Sequence, residues 1–217
     1  KSGRLGGILN FAETDPIKGE LAQLARAMEA ELRRTDADIR LNTAFEPELL
    51  AELRPDAVIA AVGSVTATKN VPGIDAPHVL SAMDAYQEHM LFGARAVVLG
   101  GGQTGCETAE HIARTGTKVT LIAKHDKICP DAYRLHGIKL RQLLEERGVE
   151  IWKDTICTEV RPNGVLVRDM KTGAEDFISA DCVVNALGMK PADSGGIEAA
   201  CAGLEFYKIG DCVAARN

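Results

Sequence analysis

The sequence predicts an α/β protein whose central domain has three layers, built on a parallel sheet that is covered on both faces. Three observations support this prediction. Short apolar runs recur along the chain and end in glycine, which is typical of strands buried on both faces of a parallel sheet. Amphipathic segments of helical periodicity lie between several of these runs. The 217 residues suffice to bury a substantial core.

The middle of the chain shows the clearest alternation of elements. We expect strands at 94–99, 118–123, 149–152 and 181–187, and helices at 104–115 and 133–147. Turn residues separate three further short runs and predict an antiparallel meander, with strands at 155–160, 164–169 and 174–179. This order is typical of a nucleotide-binding domain, which we place at residues 94–190.

The flanking residues predict a second α/β domain, made from 1–93 and 191–217, into which the central domain is inserted. We expect its helices at 20–34, 46–53 and 81–88, and its strands at 38–42, 56–62 and 204–209. The run at 56–62 is continuously apolar and predicts a strand covered on both faces.

Composition excludes several classes of function. The net charge of −6, the lack of a basic block and the aromatic content of 4% argue against binding to nucleic acid or an anionic membrane. No apolar run approaches the ~20 residues that span a bilayer. The six cysteines form no C-x-x-C pair, so we expect reduced thiols in a cytoplasmic protein. We predict no metal site and no catalytic side chain, since no nucleophile signature or ligand spacing is present.

A glycine turn carries the strongest functional signal. Gly100 permits a tight turn out of the strand, Gly102 lets a pyrophosphate approach the backbone, and Gly105 allows close packing of helix and strand. The helix then opens with Gln103 and Thr104, whose N–H groups and positive dipole end would face the phosphates. We interpret this as a Rossmann-like site for NAD(P)(H), the alternative being a turn that only joins strand to helix.

The end of the next strand bears on the choice of nucleotide. The position at which an acid would bind the ribose 2′-OH holds Ala123. Lys124, His125 and Lys127 follow, and they suit a 2′-phosphate better than a bare ribose. The sequence therefore slightly favours NADP, while NAD stays open because Asp126 could reach a ribose.

Six short motifs, spread over nearly the whole chain, carry a family resemblance. They lie at residues 5–9, 55–64, 71–75, 105–110, 186–188 and 209–212. In this order they resemble the C-terminal FAD/NAD(P)-binding part of the NADH:flavin oxidoreductase family. This old-yellow-enzyme-like group includes 2,4-dienoyl-CoA reductase and trimethylamine dehydrogenase.

The resemblance implies an NAD(P)H-dependent flavin oxidoreductase. In that family hydride passes from NAD(P)H to FAD for reduction of a distal FMN and a substrate. An upstream barrel of the same polypeptide carries the FMN and is followed by an iron–sulfur cluster, so the barrel is the implied partner. Disulfide reductases share the two-dinucleotide layout but carry a redox cysteine pair that this sequence lacks.

Matched position by position, the resemblance implies further cofactor-binding residues. These are Gly6, Gly7, Gly63, Glu107, Gly188, Gly210 and Asp211. Gly6 and Gly7 match the turn against the flavin, and Asp211 would accept a hydrogen bond from FAD. Glu107 stands where relatives place a glutamate near the nicotinamide.

The family's FAD glycine fingerprint lies upstream of a segment like 6–9 and is missing from this sequence. The flanking domain is therefore predicted to be an incomplete FAD-type domain, and the chain a fragment truncated at both ends, inactive alone. Two other functions stay open: an adenine-nucleotide-binding module without redox turnover, and a scaffold with a vestigial nucleotide fold. Gly100, Gly102 and Gly105 argue against the scaffold, because a site freed from phosphate would tolerate side chains there.

Overall fold

A computed structural model describes residues 3–14, 18–87 and 90–215. The chain divides into two compact units. The first joins the residues up to Ala60 with Asp193–Ile209, and the second joins Ala61–Ala192 with the residues from Gly210 onward. The domain limits predicted from the sequence, at 93/94 and 190/191, stay a prediction.

The helices and strands follow the predicted alternation. The α-helices are α1 (Gly19–Leu32), α2 (Glu48–Leu53), α3 (Gln103–Ala113), α4 (Arg134–Glu146) and α5 (Gly195–Ala200). The strands are β1 (Ala57–Ala60), β2 (Ser64–Thr66), β3 (Val79–Ser81), β4 (Arg95–Leu99), β5 (Lys118–Ile122), β6 (Glu150–Trp152), β7 (Thr155–Arg161), β8 (Gly164–Asp169), β9 (Glu175–Ser179), β10 (Cys182–Asn185), β11 (Met189–Pro191) and β12 (Glu205–Lys208). Short 3₁₀ helices lie at Gly7–Thr14, Asp84–Tyr86 and Gly210–Cys212.

The second unit is built on a five-stranded parallel sheet in the order β3-β10-β4-β5-β6. Successive side chains of β4 face opposite sides of this sheet. Val98 packs into a core with residues of α3 and α4, whereas Val97 and Leu99 pack into a core with residues of the meander β7-β8-β9. The predicted three-layer α/β fold is therefore confirmed, with helices on one face and the meander on the other.

One predicted helix of this unit is wrong. Residues 81–87 of the predicted helix 81–88 form the end of β3 and a 3₁₀ turn, and residue 88 lies outside the described residues. Val79 and Leu80 pair with β10, which extends the parallel sheet by one strand. The Ser81 hydroxyl does accept a hydrogen bond from the Asp84 N–H at 3.1 Å, but only a single 3₁₀ turn follows.

The first unit contains α1, α2, α5 and a two-stranded parallel sheet of β1 and β12. The strand predicted at 38–42 is irregular instead, and Arg40 forms ion pairs there with Asp38 at 2.8 Å and Glu52 at 2.9 Å. The strand predicted at 56–62 is shorter and is not covered on both faces: Ile59 is 62% exposed. The reason is that β12 is its only neighbour among the described strands.

None of the helices in the described ranges is long and apolar enough to cross a membrane.

Candidate dinucleotide-binding site

The carboxyl ends of three neighbouring parallel strands meet at one edge of the central sheet. Gly100 follows β4, Ala123 follows β5, and residues 186–188 follow β10. The Ala186 N–H donates to the Leu99 carbonyl oxygen at 2.9 Å, which holds two of these ends together. Open α/β sheets bind their ligands outside this edge. Three groups of predicted residues therefore lie at the same edge of the sheet: the glycine turn, the nucleotide-selecting segment and Gly188.

Two glycines of the turn are required by the packing of the chain itself. Gly100 has φ +121°, and a Cβ there would meet the Ala186 carbonyl oxygen at 2.2 Å. A Cβ on Gly105 would meet the Gly100 carbonyl oxygen at 1.8 Å. Both obstacles are backbone atoms. The expectation that a vestigial site would tolerate side chains at these two positions is therefore wrong.

Gly102 differs from both. Its backbone is extended, with φ −74° and ψ −179°. The nearest atom to a Cβ placed there is the Asp131 Oδ2, at 3.1 Å, which is the end of an exposed side chain. No backbone blocks the position. Gly102 is thus the glycine of this turn whose bare surface is available to a ligand.

Helix α3 starts at Gln103 and presents its first N–H groups at this edge. The Gly102 carbonyl oxygen accepts the first helical hydrogen bond at 3.0 Å. The N–H groups of Gln103, Thr104 and Gly105 precede that bond and point out of the helix. The Gln103 N–H donates to the Asp131 Oδ1 at 2.8 Å. A carboxylate therefore lies on the end of the helix that favours anions.

Glu107 lies one turn further along α3 and is buried, with 9% of its surface exposed. Its Oε1 accepts a hydrogen bond from the Gln103 Nε2 at 2.8 Å and lies 2.8 Å from the His136 Nε2 on α4. These contacts hold the carboxylate in one orientation between the two helices. A role for Glu107 beside the nicotinamide stays a prediction.

The segment after β5 separates into a packed and an exposed part. Ala123 is buried, and a Cβ placed on Gly101 would lie only 2.6 Å from the Cβ of Ala123. Ala123 therefore belongs to the packing under the glycine turn. Lys124 and His125 are exposed at the surface that follows. Their part in choosing between NADP and NAD stays a prediction.

A second group of predicted residues surrounds the antiparallel ribbon of β2 and β11 in the second unit. The Ser64 hydroxyl donates to the Asp211 Oδ2 at 3.4 Å, which joins the end of the chain to the start of β2. Gly63 and Gly210 have φ +75° and +71°, and open space surrounds a Cβ built on either. Gly188 accepts a hydrogen bond from the Ala67 N–H at 2.8 Å and precedes β11.

Gly6 and Gly7 lie in the first unit, at the start of its 3₁₀ helix. Their φ angles are +101° and +52°, a backbone region that favours glycine. The turn is closed by the Leu9 N–H, which donates to the Gly6 carbonyl oxygen at 3.0 Å. Their predicted contact with a flavin stays a prediction.

Two buried cysteines lie under the glycine turn. The Cys129 N–H donates to the Gly101 carbonyl oxygen at 2.8 Å, and the Cys106 Sγ lies 3.6 Å from the same oxygen. A hydrogen bond with Cys129 and burial raise the pKa of Cys106, so its thiol stays protonated. These side chains act as packing groups. Among the described residues, no cluster of three His, Cys, Asp or Glu side chains is placed to hold a metal ion.

Sequence reasoning missed two residues of this site, Asp131 and His136. Asp131 precedes α4, where an acid is ordinarily interpreted as the cap of its own helix. In the structure it caps α3 instead, 28 residues away in the chain from its partner Gln103. His136 lies 29 residues from Glu107. Only the residue type of Asp131, an acid ahead of a helix, offered a sequence signal.

The parallel sheet, the glycine turn and the N-terminal end of α3 define a dinucleotide-binding α/β module. The chain belongs to the pyridine nucleotide-disulphide oxidoreductase family, whose profile matches residues 10–215. It carries neither the C-x-x-C nor the C-x-x-x-x-C pair of disulfide reductases.

Similar curated proteins are much longer than this chain. An NADH oxidase from Thermoanaerobacter brockii is 33% identical over 195 residues, which cover 88% of this chain and 30% of that protein. A bilirubin reductase from Mediterraneibacter gnavus is 30% identical over 216 residues, covering 98% of this chain and 33% of that protein. The chain therefore spans about a third of the length of these relatives.

Solved structures show the same relationship. A 2-naphthoyl-CoA reductase in complex with 2-naphthoyl-CoA superposes with a TM-score of 0.91 at 27% identity, covering all of this chain and 33% of that one. Histamine dehydrogenase from Rhizobium sp. 4-9 shares the fold. It superposes with a TM-score of 0.81 at 19% identity, covering all of this chain and 37% of that one. The predicted resemblance to old-yellow-enzyme-like flavin oxidoreductases is confirmed. The chain is an FAD/NAD(P)-binding domain of this family.

Proposed function

We propose that this module passes hydride from NAD(P)H to FAD within a larger flavin oxidoreductase, for reduction of a distal FMN and substrate. The observation that carries the proposal is Gly102. It is a glycine without a backbone neighbour in the way of a side chain, placed at the N-terminal end of α3. A bare backbone at the positive end of a helix suits a diphosphate.

The chain's own residues would bind and orient the pyridine nucleotide. The N–H groups of Gln103, Thr104 and Gly105 would hold the diphosphate above Gly102. Glu107 and Gly188 would lie toward the nicotinamide end. When bound, the reduced nicotinamide supplies hydride and the flavin accepts it, so no side-chain acid or base is required.

A flavin site is supported by the second group of residues. Gly63 and Gly210 leave open backbone surfaces, and the Asp211 carboxylate is oriented by the Ser64 hydroxyl. We propose separately that Gly6 and Gly7, in the first unit, contact a flavin. The FAD glycine fingerprint is not in this sequence, so we expect weak FAD affinity from these residues alone.

The remaining partners are proposed from the family. Because the chain spans about a third of its relatives, we propose that it works with an upstream barrel domain holding FMN and an iron–sulfur cluster. A cytoplasmic location is proposed because the six cysteines of the sequence form no C-x-x-C pair and are interpreted as reduced thiols.

The module is proposed to prefer NADP over NAD, because Lys124 and His125 are exposed beside the end of β5. Position 123 holds alanine, so no acid there competes for the ribose. The name of the relative from Thermoanaerobacter brockii specifies NADH, which makes NAD the alternative.

Titration calorimetry of the purified chain with NADPH, NADH, ADP and FAD tests the function. We expect micromolar binding of a reduced pyridine nucleotide and weak or no binding of FAD. Equal binding of ADP and NADH, without flavin reduction by NADH in the longer polypeptide, would instead indicate a nucleotide-binding module without redox turnover. Failure of every nucleotide to bind would contradict the proposal.

A further inference from the structure

One carboxylate lies where the proposed function places the diphosphate. The Asp131 Oδ1 accepts a hydrogen bond from the Gln103 N–H at 2.8 Å. The Asp131 Oδ2 lies against Gly102, 3.1 Å from the position of a Cβ on that residue. One oxygen thus holds the first helical donor, and the other lies in the space beside the bare glycine of the proposed site.

A carboxylate and a phosphate compete for such a position by the same chemistry. Both are anions with oxygen acceptors, and both are stabilised by the N–H groups at the N-terminal end of a helix. They compete for it, because the Gln103 N–H makes one well-aligned hydrogen bond at a time and the two negative charges repel each other. A nucleotide therefore has to displace Asp131 from the Gln103 N–H before its diphosphate can take that bond.

The surroundings allow Asp131 to move by itself. Its side chain is exposed, whereas the segment that carries it is anchored on both sides. On one side the Cys129 N–H donates to the Gly101 carbonyl oxygen at 2.8 Å, and on the other His136 contacts Glu107 at 2.8 Å. A rotation of the Asp131 side chain would free the helix end without unfolding the segment.

We propose that Asp131 is a built-in competitor of the nucleotide diphosphate and sets the affinity of the site. This inference rests on the proposed function. It makes Asp131 an affinity-determining residue that lowers binding, unlike the predicted ligands of the glycine turn, which raise it.

The experiment compares Asp131→Ala and Asp131→Asn with the unmodified chain, by calorimetry with ADP and with NADH. Alanine removes both the charge and the bulk, so we expect at least about fivefold tighter binding of both ligands, or about 1 kcal/mol. Asparagine keeps the shape and the hydrogen bond to the Gln103 N–H but removes the charge, so we expect a smaller gain. Glu145→Gln, an equal loss of charge on the exposed part of α4, serves as the control and should leave the affinity unchanged.

The outcomes separate the two claims. If the unmodified chain binds nucleotide and neither Asp131 variant binds more tightly, the competitor role is overturned while the proposed function stands. If no variant binds any nucleotide, both are overturned. Loss of the cap should also lower the melting temperature of the free Asp131→Ala chain by about 2–4 °C. ADP should raise the melting temperature of the Asp131→Ala chain by more than it raises that of the unmodified chain. If the alanine variant folds poorly, the nucleotide affinity of the Asp131→Asn chain still tests the competitor role.

Discussion

Gly105 lies against the carbonyl group of Gly100, so closely that a Cβ on Gly105 would meet that oxygen at 1.8 Å. This contact joins the start of helix α3 to the end of strand β4. The fold thus requires glycine at positions 100 and 105, whereas at position 102 a ligand requires it.

Gly105→Ala is expected to destabilise the chain strongly. The added methyl group meets a backbone oxygen that cannot move without breaking the turn, so we expect a loss of about 3 kcal/mol or more in the free energy of unfolding. Urea unfolding followed by circular dichroism measures it. Gly196→Ala, in helix α5 with open space around the Cβ, is the matched control. Equal stability of the two variants would contradict the packing described.

Gly102→Ala is expected to fold and to bind nucleotide poorly. Its Cβ approaches only the Asp131 side chain, which can shift, so we expect a stability change within about 1 kcal/mol. A methyl group on the surface that the diphosphate approaches should weaken NADH binding by about tenfold or more, as measured by calorimetry. Undiminished affinity in a folded Gly102→Ala chain would show that the nucleotide does not lie on this turn.

Glu107→Gln is expected to change the positioning of the nicotinamide without changing the binding of the diphosphate. The amide replaces a buried carboxylate whose Oε1 lies 2.8 Å from the His136 Nε2, at a cost of about 1–2 kcal/mol in stability. In the longer polypeptide we expect slower flavin reduction by NADH, measured by stopped-flow absorbance, while the affinity for ADP stays the same. ADP lacks the nicotinamide end toward which Glu107 is proposed to lie. A matching loss of ADP affinity would place Glu107 near the diphosphate instead.

Lys124→Ala and His125→Ala test the choice of nucleotide. Each side chain is exposed, so each contact with a 2′-phosphate should contribute about three- to fivefold in affinity for NADPH. NADH binding should not change, since NADH lacks that phosphate. Lys139→Ala on α4 removes an exposed charge elsewhere and should affect neither ligand. Parallel titrations with the two nucleotides decide the question, and equal losses for both would favour NAD.

The Cys157 thiol gives a pH-dependent prediction. Burial raises the pKa of Cys157 to about 11, so the reactive thiolate becomes abundant only as the pH rises toward that value. At pH 8 we expect alkylation by iodoacetamide to be about a hundredfold slower than for an unhindered thiol of pKa 9. It should accelerate with pH, and peptide mass spectrometry would locate the label. Cys157→Ser is the control. Rapid labelling at pH 8 would mean that this thiol is open to solvent.

Local features of the fold were predictable because their causes are local. The strands and helices from residue 94 to residue 185 lie within two residues of the predicted bounds, since the apolar periodicity of each segment matches its own burial. The glycine turn was predictable for the same reason, because Gly100 and Gly105 answer steric demands of adjacent backbone. The unpredicted strand β3 depends on its partner β10, since Val79 pairs with Val183, 104 residues later in the chain. Without that partner, the short segment resembles the start of a helix.

The sequence by itself thus determined the dinucleotide-binding fold, the family and the position of the turn. Only the tertiary structure decided which glycine is free for a ligand and which carboxylate lies on it. Gly102 and Gly105 look alike in a motif, and they differ only in the atoms that folding places beside them. Asp131 and His136 reach α3 across 28 and 29 residues, a distance over which residue patterns carry no information about contact.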